Sequence, residues 1–272
     1  ARPESPTAPT VKDKTDKSIT ISTTDGIQYR LGNDEQWQSG KDGSLTFDNL
    51  TEGTKYTIYA RTPANSSKFA SAESSIEVTT KGSAADAPAV GTATVTDTTI
   101  TLPYDVTWEY STDQKTWSNT YEFTGLTAAT QYTYYVRVRE TDTAEASQVA
   151  TVKVWTAHAA PVENEGYSID YTAETLTVKD GYEINTAAGF TGLEITDGSS
   201  LADYLGDTLY IRHKADKNGA PASTAVSISV PARLAAPDAP TVTDKTDNSI
   251  TISVTDGIQY RLGNDEQWQS GK

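Results

Sequence analysis

Residues 18–31 read SITISTTDGIQYRL, and residues 249–262 read SITISVTDGIQYRL. Ile19 and Ile21 alternate with Thr and Ser, the period-2 pattern of a strand with one buried face. Asp25-Gly26 supplies a turn, and Ile27, Tyr29 and Leu31 then place three apolar side chains on one side of a second strand. Working outward, residues 1–41 and 232–272 are identical at 34 of 41 positions with an offset of 231. Self-similarity at a fixed period marks a repeat architecture. One long period followed by the opening of the next is the pattern expected of a piece of a repeat array.

Further strands follow the first two. Leu45 and Phe47 alternate after the turn at Gly40 to Gly43, Tyr56, Ile58 and Ala60 alternate next, and Ile76 and Val78 complete about seven short strands. Beyond the Ala/Asp/Pro linker at 81–88, Ile100 and Leu102, Trp108 and Tyr110, Tyr121 and Phe123, and Tyr134, Val136 and Val138 repeat the plan. A third, diverged set carries Tyr167 and Ile169, Leu176 and Val178, Tyr182 and Ile184, Leu209 and Ile211, and Val226, Ile228 and Val230. The expected domains are residues 8–81, 87–156 and 161–231, with 239–272 as the first half of a further copy of the first. Thr, Ser, Val, Ile and Tyr are abundant and Leu is scarce, which favours sheet over helix. The predicted fold class is all-β, a tandem series of short sandwiches of about seven strands each.

Composition narrows the function classes. With 37 acidic and 22 basic side chains the net charge is -15, against a nucleic-acid footprint and against an anionic membrane surface. No apolar run reaches the length of a membrane span, so no membrane insertion is expected. The absence of Cys removes disulfides, thiolate metal sites and thiol nucleophiles. The two His, His158 in a linker and His213 near a late strand, lie in no zinc-binding pattern. No nucleophile elbow and no phosphate loop are present, and with so many carboxylates a chance glycosidase-like pair carries no weight. Catalytic residues and cofactors are therefore expected to be none, and the chain is read as no enzyme. Asp13, Asp16 and Asp25, or Asp203 and Asp207, could supply oxygen ligands to calcium, but none sits in an EF-hand loop. Acidic turns on an acidic protein are ordinarily solvated, so no metal site is assigned.

Leu50 with Tyr56 and Leu126 with Tyr132, each followed by alternating apolar residues, resemble the tyrosine-corner region of fibronectin type III domains. The resemblance covers the first two units, about half the chain. In the third, Asp207 stands where the corner Tyr would align, and the likeness is to a more general immunoglobulin-like sandwich. The second-strand Trp usual in that family is absent, and Trp37, Trp117 and Phe190 appear after the third strand instead. Short tandem sandwiches of this type are similar to those in surface and secreted proteins of Gram-positive bacteria. The resemblance implies an extracellular, cell-surface or cell-wall location and a role as spacer, stalk or adhesin segment.

The alternative function is a carbohydrate-binding accessory array, with host or cell-wall glycan as partner. Trp37, Trp117 and Trp268 follow polar turns rather than strict alternation, and exposed they would form a binding platform. Alternatively each caps one end of the core, a role the apolar Phe190 suits equally. Asn49-Leu-Thr51 and Asn65-Ser-Ser67 match the N-glycosylation acceptor pattern, which arises often by chance. The segments Tyr59-Ala60-Arg61, Tyr135-Val136-Arg137 and Tyr210-Ile211-Arg212 are predicted to bury the middle residue and turn Tyr and Arg outward, where the Arg meets a ring or a carboxylate. Other expected partners are neighbouring repeats and, through residues 232–272, further copies of the chain. There strand exchange would replace residues 1–41 of the next molecule; the plainer expectation is a sequence cut from a longer array.

Overall fold

The computed structural model describes residues 2–34, 36–217, 219–263 and 267–271. Every regular element among them is a β-strand, apart from one 3₁₀ turn at Ala202–Tyr204. The chain divides into two compact units, residues 1–162 with 212–225, and residues 163–211 with 226–272.

The first unit opens with a complete two-sheet sandwich. Its strands are β1 (Thr10–Lys14), β2 (Ile19–Ser22), β3 (Gln28–Leu31), β4 (Gln38–Ser39), β5 (Ser44–Phe47), β6 (Lys55–Arg61) and β7 (Ser74–Thr79). One sheet runs β1-β2-β5 and the other β4-β3-β6-β7, all pairs antiparallel. Period-2 alternation sets the register. Ile19 faces Phe47 across one sheet while Tyr29 faces Ala60 across the other, and all four lie in one core with Ile21, Ile58 and Val78. Each Ile so buried contributes roughly 1.5–3 kcal/mol of apolar transfer free energy. A one-residue slip would turn this row to water, so the pairing is tightly specified.

The second sandwich has β8 (Thr94–Val95), β9 (Thr99–Thr101), β10 (Trp108–Ser111), β11 (Glu122–Thr124), β12 (Gln131–Val138) and β13 (Ala150–Trp155), arranged β11-β9-β8 and β10-β12-β13. Its core is Ile100, Leu102, Tyr110, Tyr134 and Val136. The counterpart of β4 is reduced to a single bridge, Tyr110 with Ser118.

In the second unit, β14 (Tyr167–Asp170) pairs with β15 (Thr175–Val178). A four-stranded sheet orders β17 (Glu194–Ile195), β16 (Tyr182–Asn185), β18 (Thr208–His213) and β19 (Val226–Ser229). Leu176, Ile184, Leu209 and Ile211 are fully buried at its centre. The counterpart of β5 is reduced to one bridge, Thr175 with Ser200, because turns and the 3₁₀ segment occupy that stretch. Seven strands thus form only in the first sandwich; six are described in each of the others.

The corners of the first two sandwiches follow the resemblance. The Thr51 N–H donates to the Tyr56 hydroxyl oxygen at 2.9 Å, and the Thr127 N–H to that of Tyr132 at 2.9 Å. A second clamp of the same span, which strand periodicity does not reveal, joins the Thr24 N–H to Tyr29 at 2.9 Å and the Asp105 N–H to Tyr110 at 3.4 Å. Backbone positions also recur: Gly53 has φ 58° and Ala129, 76 residues later, has φ 49°.

The tail forms β20 (Val242–Lys245) with β21 (Ile250–Ile252), and β22 (Gln259–Tyr260) with β23 (Gln269–Ser270), two separate two-stranded sheets. It repeats even the irregularity of the first copy, since the register shift between Val242 and Asp244 matches that between Val11 and Asp13. Asn264, Asp265, Glu266 and Lys272 lie outside the described residues.

Candidate functional site

Two arrangements recur between the first two sandwiches: aromatic–cation stacks on outward sheet faces, and hydrogen-bonded joints after the last strand. The stacks arise because alternation along β6 buries Ala60 and leaves Tyr59 and Arg61 outward, as it buries Val136 and leaves Tyr135 and Arg137 outward. The loop after β3 carries Trp37 onto this face. The Arg61 guanidinium carbon lies 4.0 Å from the centroid of the Trp37 ring system, and that of Arg30 lies 5.0 Å from it and 4.8 Å from the Tyr59 ring. Arg30 also pairs with Glu73 at 3.1 Å. In the second sandwich Arg137 lies 4.1 Å over Trp117 and pairs with Glu109 at 2.6 Å. The Trp117 loop is pinned by Asp113, whose carboxylate accepts the Thr116 and Lys115 N–H groups and the Ser111 hydroxyl. Those bonds, the two backbone donors first, hold its pKa down to about 2.

Trp37 and Trp117 are therefore half-buried outside the core, a correction to the core-cap reading. The loop delivers each ring to the outward face, where a guanidinium over the indole is worth roughly 0.5–1 kcal/mol at an exposed site. Trp268 is 55% exposed, with Arg261 at 4.8 Å. Trp37 thus meets two arginines and Trp117 one, on different sheets of the first unit. Phe190 lies outside the core of its sandwich too, half-buried in a tight turn with φ 57°.

The joint after β7 is bonded on both sides. Lys81 N–H donates to Thr15 O at 3.0 Å and Gly53 N–H to Lys81 O at 3.0 Å, closing the first sandwich. Gly82 N–H then donates to Thr143 O at 2.8 Å, Glu145 N–H to Gly82 O at 3.0 Å and Gln148 N–H to Ala85 O at 2.8 Å, all in the loop between β12 and β13. The buried Lys81 ammonium pairs with the Glu140 carboxylate across the same joint. After β13 the pattern repeats. Ala157 N–H donates to Thr96 O at 2.9 Å, Ala129 N–H to Ala157 O at 3.0 Å, and His158 N–H to Pro221 O at 3.0 Å.

Here the two His meet, which nothing local in the sequence announces. Their rings stack at 3.7 Å with an interplanar angle of 13°, and His158 Nε2 lies 3.2 Å from Asp216 Oδ1, not aligned for a hydrogen bond. Among the described residues no three His, Asp or Glu converge to hold a metal ion, and Asp13, Asp16, Asp25, Asp203 and Asp207 form no such group. Among the same residues no helix is long and apolar enough to cross a membrane.

No protein-family model matches the chain, and no curated protein matches it. Solved structures similar to it include a two-domain fibronectin type III segment of chicken tenascin, at 14% identity over 54% of this chain and 97% of that one, with TM-score 0.24. The central fibronectin III array of RIM-binding protein is similar at 15% identity over 84% of this chain and 99% of that one, with TM-score 0.23. The FN1–FN3 domains of chicken CNTN1 are similar at 15% identity over 84% and 100%, with TM-score 0.26. The architecture of this chain is all-β, small antiparallel sandwiches in tandem.

Proposed function

We propose that the chain is a non-catalytic repeat region of an exported surface protein, a spacer or adhesin stalk of the kind carried by Gram-positive bacteria. The observation that carries this reading is the joint. Where a flexible tether would leave backbone groups to water, residues 81–85 exchange three backbone hydrogen bonds with the 143–148 loop and hold a buried cation against Glu140. Such bonding limits bending between successive sandwiches, which serves reach. The abundance of acidic side chains keeps neighbouring arrays apart. Glycan binding through Trp37 or Trp117 is the lesser reading, since each indole has a guanidinium over it.

NMR relaxation on the full chain tests the stalk reading. The first two sandwiches are expected to share one rotational correlation time. Affinity electrophoresis and a glycan array run beside it are expected to give no retention. Independent tumbling, or specific glycan binding lost in Trp37→Ala or Trp117→Ala with the fold intact, would overturn the proposal.

A further inference from the structure

The aromatic–cation stacks of the first two sandwiches are built alike and differ in one charge. Gln28 stands opposite Arg61 in the β3–β6 register, and Glu109 stands opposite Arg137 in the β10–β12 register. In the second sandwich the Glu109 carboxylate accepts from Arg137 Nε at 2.6 Å, so the guanidinium over Trp117 is neutralised within the chain. In the first, Arg61 Nη2 donates to the Gln28 amide oxygen at 3.4 Å, a long and weak hydrogen bond. Arg61 Nε, the atom whose counterpart holds Glu109, is buried and has no partner among the described residues. Glu73 does not make up the difference, because its two oxygens are taken by Arg30 at 3.4 and 3.1 Å. Among the described residues, the two guanidiniums against Trp37 thus share one carboxylate, on a chain whose net charge is -15.

A half-buried cation short of its counter-charge, with a donor left unpaired, attracts an anion that can supply the missing bonds. The sibling stack shows which anion fits, since the equivalent guanidinium holds a side-chain carboxylate. We propose that the Trp37–Arg61 face of the first sandwich is an interaction surface for a partner protein that presents an Asp or Glu side chain, with Arg61 as its receptor. The incoming carboxylate would displace the loosely bonded Gln28 amide and accept from Arg61 Nε and Nη2. Two parallel donors to two oxygens is the geometry in which guanidinium binds carboxylate most strongly. Trp37, half-buried and stacked at 4.0 Å, fixes the plane of that fork and covers one of its faces. The second sandwich has no such vacancy, because Glu109 already fills it. The surface goes beyond a spacer's task, since it lets the array hold another protein.

The test titrates the isotope-labelled full chain with the peptide acetyl-Gly-Glu-Glu-Gly amide and with its Gln-Gln counterpart. NMR follows the arginine Nε–H and tryptophan indole N–H signals. The Glu peptide is expected to shift the signals of Arg61 and Trp37 and to leave those of Arg137 and Trp117 in place; the Gln peptide is expected to shift neither. Gln28→Glu, which copies the second sandwich, is expected to weaken binding by about ten-fold or more, the loss of one charge-assisted pair. The reverse exchange, Glu109→Gln, is expected to open a second site and bring Arg137 and Trp117 into the response. Each exchange installs the residue that the sibling sandwich already carries at that register position, so the fold is kept. Glu35→Gln, two positions before Trp37, is expected to change nothing. Shifts that the Gln peptide reproduces, that Gln28→Glu leaves unchanged, or that fall on Arg137 rather than Arg61 overturn the proposal. So does a peptide that binds only once Glu35 is replaced, which would mean that the chain fills the site itself, or one that moves no signal in any variant.

Discussion

Two buried tyrosines of the second sandwich share a core and respond to the same substitution in opposite directions. The Tyr110 hydroxyl donates to Pro103 O at 2.7 Å and accepts from the Asp105 N–H at 3.4 Å. Replacing it with Phe leaves the carbonyl unpaired, at a cost of about 1–2 kcal/mol. Tyr134 is 2% exposed, and its hydroxyl has no hydrogen-bond partner among the described residues. Tyr134→Phe keeps the ring, which stacks on Phe123 at 4.1 Å, and removes an uncompensated polar group. The expected effect is a gain of up to about 1 kcal/mol. Desolvation also pushes the Tyr134 pKa up to about 12. Between about pH 10 and 12 the unfolded chain therefore releases a proton that the folded one keeps, and stability falls as pH rises, by roughly 1.4 kcal/mol per unit at most. Tyr134→Phe is expected to remove that alkaline loss. Local opening free energies of β9 to β13, from hydrogen exchange on the full chain, provide the assay. A destabilised Tyr134→Phe with a harmless Tyr110→Phe would refute the reasoning.

Ala129 holds a left-handed backbone where Gly53 stands in the first sandwich, so Ala129→Gly is expected to stabilise the second sandwich by roughly 0.5–1 kcal/mol. Gly53→Ala should do the reverse, and melting curves of both variants check the pair. Glu140→Gln leaves the Lys81 ammonium buried without its counter-charge. Discounted for the half-exposed glutamate, the joint is expected to weaken by roughly 1–2 kcal/mol, seen as faster hydrogen exchange at residues 80–85 and partly independent tumbling of the two sandwiches.

The alternation of Ile19 with Ile21 and of Ile58 with Ala60 identifies strands and their buried faces, because a period of two follows directly from backbone geometry. Leu50 with Tyr56 announces the corner. The earlier clamp on Tyr29 stays hidden because that residue is already accounted for as core; its ring is buried while its hydroxyl reaches back five residues. Trp37 escapes sequence reading for another reason. A loop of unspecified course decides which side of the sheet it reaches, and composition cannot distinguish an indole under apolar side chains from one under arginine. The meeting of His158 with His213 joins a loop to the end of β18 across 55 positions of chain, so no local pattern encodes it. The joint after β7 is equally silent, since its bonds are nearly all backbone to backbone. Only the lysine within an Ala/Asp/Pro linker hints that something there is buried.

The near-identity of the opening and tail segments also bears on biosynthesis. Identical neighbouring domains are prone to capture one another's strands while folding, and dissimilar neighbours are not. Here the two near-copies are separated by an offset of 231 rather than the 76 that separates adjacent sandwiches. A threefold longer tether lowers the chance of wrong pairing by about 1 kcal/mol in closure entropy, a factor of roughly five. Two diverged sandwiches between the copies fold within that interval. The order of repeats therefore works as insulation against misassembly, and an array with the first and last segments made adjacent should yield less correctly folded protein.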